Sequence, residues 1–185
     1  MANFVQAAPP VFPAGYPPFQ FDMTNWIANT LGWCSALPVF RGQLQAAQAL
    51  SSSSALNALA IGGTAGDVLE DPYGGWSHTS TSAQAANSYL VPYTGWYEVT
   101  VTVVCTQQAM FLAAAIGVSG GTPEYVDNVA TPAAVAGGCS GSLIIPATGG
   151  LDYIQAGPVV SANATTDNNS AGQLPGLEIC YVSSG

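Results

Sequence analysis

A chain of 185 residues suffices for one domain that buries about 70% of its unfolded surface. Its ten carboxylates stand against a single basic side chain, for a net charge of −9, and charged residues make up only 6% of it, where roughly 25% is usual. That balance excludes nucleic-acid and anionic-membrane partners, because Arg41 alone cannot neutralise a run of phosphates. The shortage of charge points instead to assembly, since contact surfaces are where charge is depleted.

Residues 1–36 differ from the rest. Pro9, Pro10, Pro13, Pro17 and Pro18 alternate with Phe4, Phe12, Tyr16, Phe19 and Phe21, the composition of an extended arm with aromatic anchors whose ordering on a partner costs little entropy. The same prolines, and the absence of a basic region over Met1–Gln6, argue against a signal peptide. A soluble protein made in a cytoplasm is expected. A short helix is predicted over 22–31: Asp22 caps it, Met23, Trp26, Ile27 and Leu31 share one face, and Gly32 ends it. Ten residues are too few for a helix stable alone, so it must pack on something. Phe12, Phe19, Phe21, Met23, Trp26 and Ile27 are the candidate anchor residues.

From Leu37 the pattern is β throughout. Strands are predicted over 38–47, 55–61 and 89–91, with a turn-rich loop over 62–76. Pro92 and Gly95 then make a corner, Pro by fixing φ and Gly by tolerating φ > 0. After it Tyr97, Val99, Val101, Val103 and Cys105 alternate with Trp96, Glu98, Thr100, Thr102 and Val104, the period of a half-buried strand. Further strands are predicted over 110–118, 125–129 (an edge), 140–145, 151–164 and 177–182. The run 110–118 is about half the length of a membrane span. Eight to ten short strands with Gly and Pro between them are the signature of an antiparallel jelly-roll sandwich.

Little catalytic equipment is visible. His78 is the only histidine and sits in a polar loop without a nucleophile elbow. Cys34, Cys105, Cys139 and Cys180 lack zinc spacing. Cys105 and Cys180 read as small buried hydrophobes, and one disulfide of unassigned pairing is compatible with the sequence. Paired carboxylates for glycan hydrolysis would have to come from Asp67, Glu70, Asp71, Glu124 and Asp127, which read as solvated loop acids. No cofactor is expected; the one candidate metal is calcium on Asp67, Glu70 and Asp71, which share a glycine-flanked loop and offer hard oxygen ligands. Trp96, Tyr97, Tyr153 and Tyr181 are candidates to line a ligand pocket, but such aromatics more often fill a jelly-roll core or a three-fold interface, and at least two of them are expected at an interface.

The corner Tyr89-Leu90-Val91-Pro92-Tyr93-Thr94-Gly95-Trp96-Tyr97 resembles the Pro-x-x-Gly-x-Tyr turn of the tumour necrosis factor/C1q-like jelly roll. Phe40-Arg41 is similar to that family's opening strand, Asp71-Pro72-Tyr73-Gly74 to its Asp-x-x-Gly turn, Gly150-Leu151-Asp152-Tyr153-Ile154 to its Gly-Asp-x-Val turn, and 174–182 to its closing strand. The resemblance spans 37–185 and implies a homotrimer that binds partners and does no chemistry. Phe12-Pro13-Ala14-Gly15 and Asp22-Met23-Thr24-Asn25-Trp26-Ile27 resemble the opening of structural proteins of tailed bacteriophages. Together they imply two parts, an arm over 1–36 that anchors to a particle and a jelly roll over 37–185. The expected function is a trimeric capsid decoration protein on the virion surface, assembled in the host cytoplasm, with the major capsid protein or other virion subunits as partners. The alternatives are a tail or head fibre tip that binds cell-surface glycan, and a cellular C1q-like binding module.

Overall fold

Alternation of apolar and polar residues determines the longest element. In the computed structural model, Gly95–Cys105 forms one strand whose Tyr97, Val99, Val101 and Val103 are fully buried while Trp96 and Glu98 face outward. The structure describes residues 39–54, 56–105, 110–119, 121, 124–130, 137–167 and 174–184. The arm 1–36, with its helix and its anchor residues Phe12, Phe19, Phe21, Met23, Trp26 and Ile27, lies outside the described residues, as does Cys34.

Twelve strands occur among the described residues: β1 Val39–Gln43, β2 Ala49–Leu50, β3 Val68–Glu70, β4 Trp76–Ser77, β5 Ser88–Leu90, β6 Gly95–Cys105, β7 Met110–Val118, β8 Glu124–Ala130, β9 Gly137–Ala147, β10 Asp152–Val160, β11 Ala164–Thr165 and β12 Gly176–Ser183. They form two five-stranded sheets, ordered β3-β1-β12-β6-β9 and β4-β5-β10-β7-β8, and a small β11-β2 ribbon. Neighbouring strands are antiparallel throughout. Between β5 and β12 the chain passes repeatedly from one sheet to the other, so β1-β12-β6-β9 faces β5-β10-β7-β8. That is the connectivity of a jelly roll. No helix occurs among the described residues, and so none there is long and apolar enough to cross a membrane.

The core lies between the sheets. Leu177 and Ile179 of β12, Ile145 of β9, and Tyr153 and Ile154 of β10 are essentially inaccessible to solvent. Phe40 stacks on Trp76 with ring centroids 4.2 Å apart, and the Trp76 indole N–H donates to the Ile61 carbonyl at 2.8 Å. Such an aromatic satisfies its polar edge while filling the interior.

The structure departs from the sequence expectation in the loop predicted over 62–76, which contains the short strand β3, in the strand predicted over 38–47, which ends at Gln43, and at two further places that bear on the sheet edges. The segment 56–61 is not a regular strand, yet the Asn57 and Leu59 N–H groups donate to the Pro158 and Ala156 carbonyls at 2.9 and 3.1 Å. It continues the edge of β10 beyond the point where the three-residue β5 stops. At the corner, Gly95 is not among the positive-φ glycines. A Cβ there would lie 2.3 Å from the Ser183 carbonyl oxygen, so close approach of β12, not φ > 0, is what requires glycine.

Candidate interaction face

The corner 91–95 and the turn 148–151 are built to hold still. The Tyr97 hydroxyl donates to the Tyr93 carbonyl at 2.7 Å and accepts from the Tyr93 N–H at 3.3 Å. Tyr97 is itself buried against the edge of the Tyr181 ring at 5.3 Å, and burial pushes its hydroxyl well above the usual phenol range. The two loops are tied to each other as well. Gly149 N–H donates to Thr94 Oγ1 at 3.0 Å and Gly150 N–H to the Val91 carbonyl at 2.8 Å, while within the turn Thr148 N–H donates to Asp152 Oδ2 at 2.7 Å.

This rigid end supports the outward face of the β1-β12-β6-β9 sheet. Register places Trp96 opposite Pro146, Glu98 opposite Ile144, Thr100 opposite Ser142 and Thr102 opposite Ser140. The last two pairs are hydroxyl–hydroxyl hydrogen bonds of 2.7 and 2.8 Å. Trp96 is 41% and Ile144 53% exposed, and Val182 and Leu69 are exposed too. Among the described residues one ion pair crosses the face, Arg41 Nε to Glu178 Oε1 at 3.6 Å, with both side chains about half in solvent; such a pair contributes little to stability. Beside it Arg41, Thr100, Thr102 and Glu178 line a shallow cavity of ≈ 260 Å³, and a second of ≈ 680 Å³ opens beside Trp96, Pro146, Thr148 and Asp152.

Of the aromatics singled out in the sequence, Tyr97, Tyr153 and Tyr181 belong to the core of the domain and not to an outer face. Only Trp96 is exposed. Their strands turn these tyrosines inward, and period two alone does not say which face a partner covers. Cys180 is half-buried on the outward face instead of in the core, and Cys105 is buried. Burial and the neighbouring Glu178 push the Cys180 thiol up to about 11, so it stays protonated and a poor nucleophile near neutrality. Cys139 and Cys180 are free thiols.

The calcium candidates are used by the backbone. Asp67 is 1% exposed, not solvated; its Oδ1 accepts the Gln45 N–H at 3.0 Å, and its Oδ2 accepts those of Gly62 and Thr64 at 3.0 and 2.8 Å. Asp71 accepts the Gly75 and Trp76 N–H groups at 3.1 and 3.0 Å. Both carboxylates thus act as turn caps, the role Asp fills by holding neighbouring N–H groups. Glu70 lies exposed on β3. Among the described residues no group of three or more acidic, His or Cys side chains is placed to hold a metal ion. His78 is exposed in its loop.

No protein-family model matches the chain, and no curated protein does. Among solved structures it is similar to an Eiger TNF from S. frugiperda, at 10% identity and a TM-score of 0.49, over 80% of this chain and 94% of that one. The jelly-roll assignment rests on the strand order of this chain itself.

Proposed function

We propose that this protein works by assembly and binding, without catalysis or cofactor, as a homotrimeric structural protein on the surface of a bacteriophage particle. The observation that carries the reading is the outward face of β12, β6 and β9. It presents Ile144, Val182 and a ladder of paired hydroxyls, and among the described residues only Glu98, apart from the Arg41–Glu178 pair, brings a charge to it. Burying such a face gains ~25 cal/mol per Å² of apolar surface and strands almost no charge. Residues 1–36 serve as the anchor to capsid or neighbouring subunits. Three arms on one trimer act with avidity, so each contact is individually weak.

Within this reading the surface it occupies is that of the capsid, with residues 1–36 as the attachment. The exposed indole of Trp96 supports a second activity, recognition of a cell-surface glycan. Light scattering tests the assembly directly: the full chain gives the mass of a trimer, and Ile144→Glu, which puts a carboxylate in the middle of the face, lowers it to that of a monomer. A wild-type protein that remains monomeric at micromolar concentration overturns the proposal. Electron microscopy of particles with the protein labelled tests the location.

A further inference from the structure

We propose that the ≈ 680 Å³ cavity at the end of β6 and β9 is a binding site for an uncharged saccharide, with Trp96 as its platform. The inference rests on the reading that this chain binds rather than catalyses, and not on its oligomeric state. The volume falls within the range of small-ligand sites. Trp96 and Pro146, paired across the strands, give an apolar wall, the surface on which the C–H face of a pyranose packs. Around it stand Thr94, Thr148, Asp152 and Ser184, an alternation of donors and acceptors suited to vicinal hydroxyls.

These polar groups have capacity to spare. Asp152 uses Oδ2 for the Thr148 N–H and leaves Oδ1 as an acceptor. Thr94 Oγ1 receives the Gly149 N–H and keeps its own proton to donate. The Thr148 and Ser184 hydroxyls line the cavity as further donors and acceptors. Because the two loops are held to each other and to Tyr97, the groups are positioned before a ligand arrives, which lowers the entropic cost of binding. Charge selects the ligand class. The cavity's charged side chain is Asp152, and Arg41 lines a different cavity, so a sialic acid, uronic acid or phosphate meets repulsion with no cation to offset it.

The test uses the full-length protein with methyl β-galactoside, methyl α-glucoside, methyl α-mannoside and N-acetylglucosamine as neutral probes, and sialyllactose as the charged comparator. Binding is read by saturation-transfer NMR and tryptophan fluorescence. At least one neutral probe is expected to saturate with a Kd in the millimolar range. Trp96→Ala is expected to weaken it by about tenfold or more at unchanged melting temperature and unchanged mass, while Trp96→Phe retains part of the affinity. Failure of every neutral probe, equal affinity for sialyllactose, or undiminished binding by Trp96→Ala each overturns the proposal. A Trp96→Ala protein that loses its trimer assigns Trp96 to the subunit interface and overturns it too, whereas a monomeric wild type that still binds the sugar leaves it standing and refutes only the assembly.

Discussion

Two buried tyrosines of the same domain show how much a hydroxyl's partner matters. Tyr97 donates to Tyr93 across the corner; Tyr89, equally inaccessible, finds no hydrogen-bond partner for its hydroxyl among the described residues. A buried polar atom without a partner costs roughly 1–3 kcal/mol, and removing it with shape preserved is neutral or stabilising. Tyr89→Phe is therefore expected to raise stability by ~1 kcal/mol and Tyr97→Phe to lower it by ~1–2 kcal/mol, as measured by urea denaturation of the two variants side by side. The reverse order would show that the corner lock contributes nothing. Burial raises the hydroxyls of Tyr89, Tyr97 and Tyr153, burial and Tyr93 bring Tyr73 to about 12, and Cys180 rises to about 11. The folded chain thus holds these protons more tightly than the unfolded one, so stability falls wherever the unfolded state has already lost them. This contribution is fully present below the ordinary thiol and phenol values of 9.0 and 10.0 and drains away above them. Thermal melts from pH 7 to 11 are expected to be level to about pH 9 and then to decline; a melting temperature that holds through pH 11 contradicts the assignment.

At the scale of elements, β10 illustrates what a strand asks of its neighbours. Its residues 153–158 are buried on both faces, because the sandwich covers one face and loops cover the other: Gln155 Nε2 donates to the Ala86 carbonyl at 2.6 Å. Where β5 ends, the segment 56–59 takes over the edge, and there Gly157 meets it. A Cβ on Gly157 would stand 2.1 Å from the Asn57 carbonyl oxygen, a backbone atom with no freedom to step aside. Gly157→Ala is expected to cost ~2–4 kcal/mol, as overpacking against main chain does. Hydrogen exchange separates this from a general loss, since the Asn57 and Leu59 amides lose protection first. A Gly157→Ala protein as stable as wild type would mean that the segment does not pair with β10. The sequence reading makes 55–61 a strand. What it could not show is that only two N–H groups would find carbonyls in register, because pairing is decided by the partner's length and not by local pattern.

For the whole molecule, the division of labour between the arm and the jelly roll is the main proposition. The jelly-roll strand order is complete from β1 at Val39 to β12 at Ser183, so deletion of residues 1–36 is expected to leave the melting temperature of the β-domain within a few degrees of wild type while abolishing attachment to the particle. Trp26→Ala is expected to weaken attachment by ~2 kcal/mol per arm, the scale of a truncated aromatic anchor. Co-sedimentation with particles, set beside the melting curves, distinguishes this from an arm that merely covers a sheet edge: in that case the deletion would melt much earlier or aggregate. Unchanged occupancy after deletion refutes the anchoring role.

The amino-acid sequence by itself determined the class of the fold, the position of its longest strands and the shortage of charge, because period-two alternation, Gly/Pro punctuation and composition are local properties that survive without a partner. It predicted 110–118 to the residue and the inward set of β6 correctly. Only the tertiary structure decided what the exposed groups are for. It buried Tyr153 and Tyr181, left Trp96 at the mouth of a cavity, and set Cys180 on the outward face. It also turned Asp67 and Asp71 into caps for backbone N–H groups contributed by Gln45, Gly62, Thr64, Gly75 and Trp76. Those outcomes depend on which strands lie side by side and how closely their backbones approach. Such facts arise from contacts between residues as far apart as Gly95 and Ser183, and no window along the chain contains both.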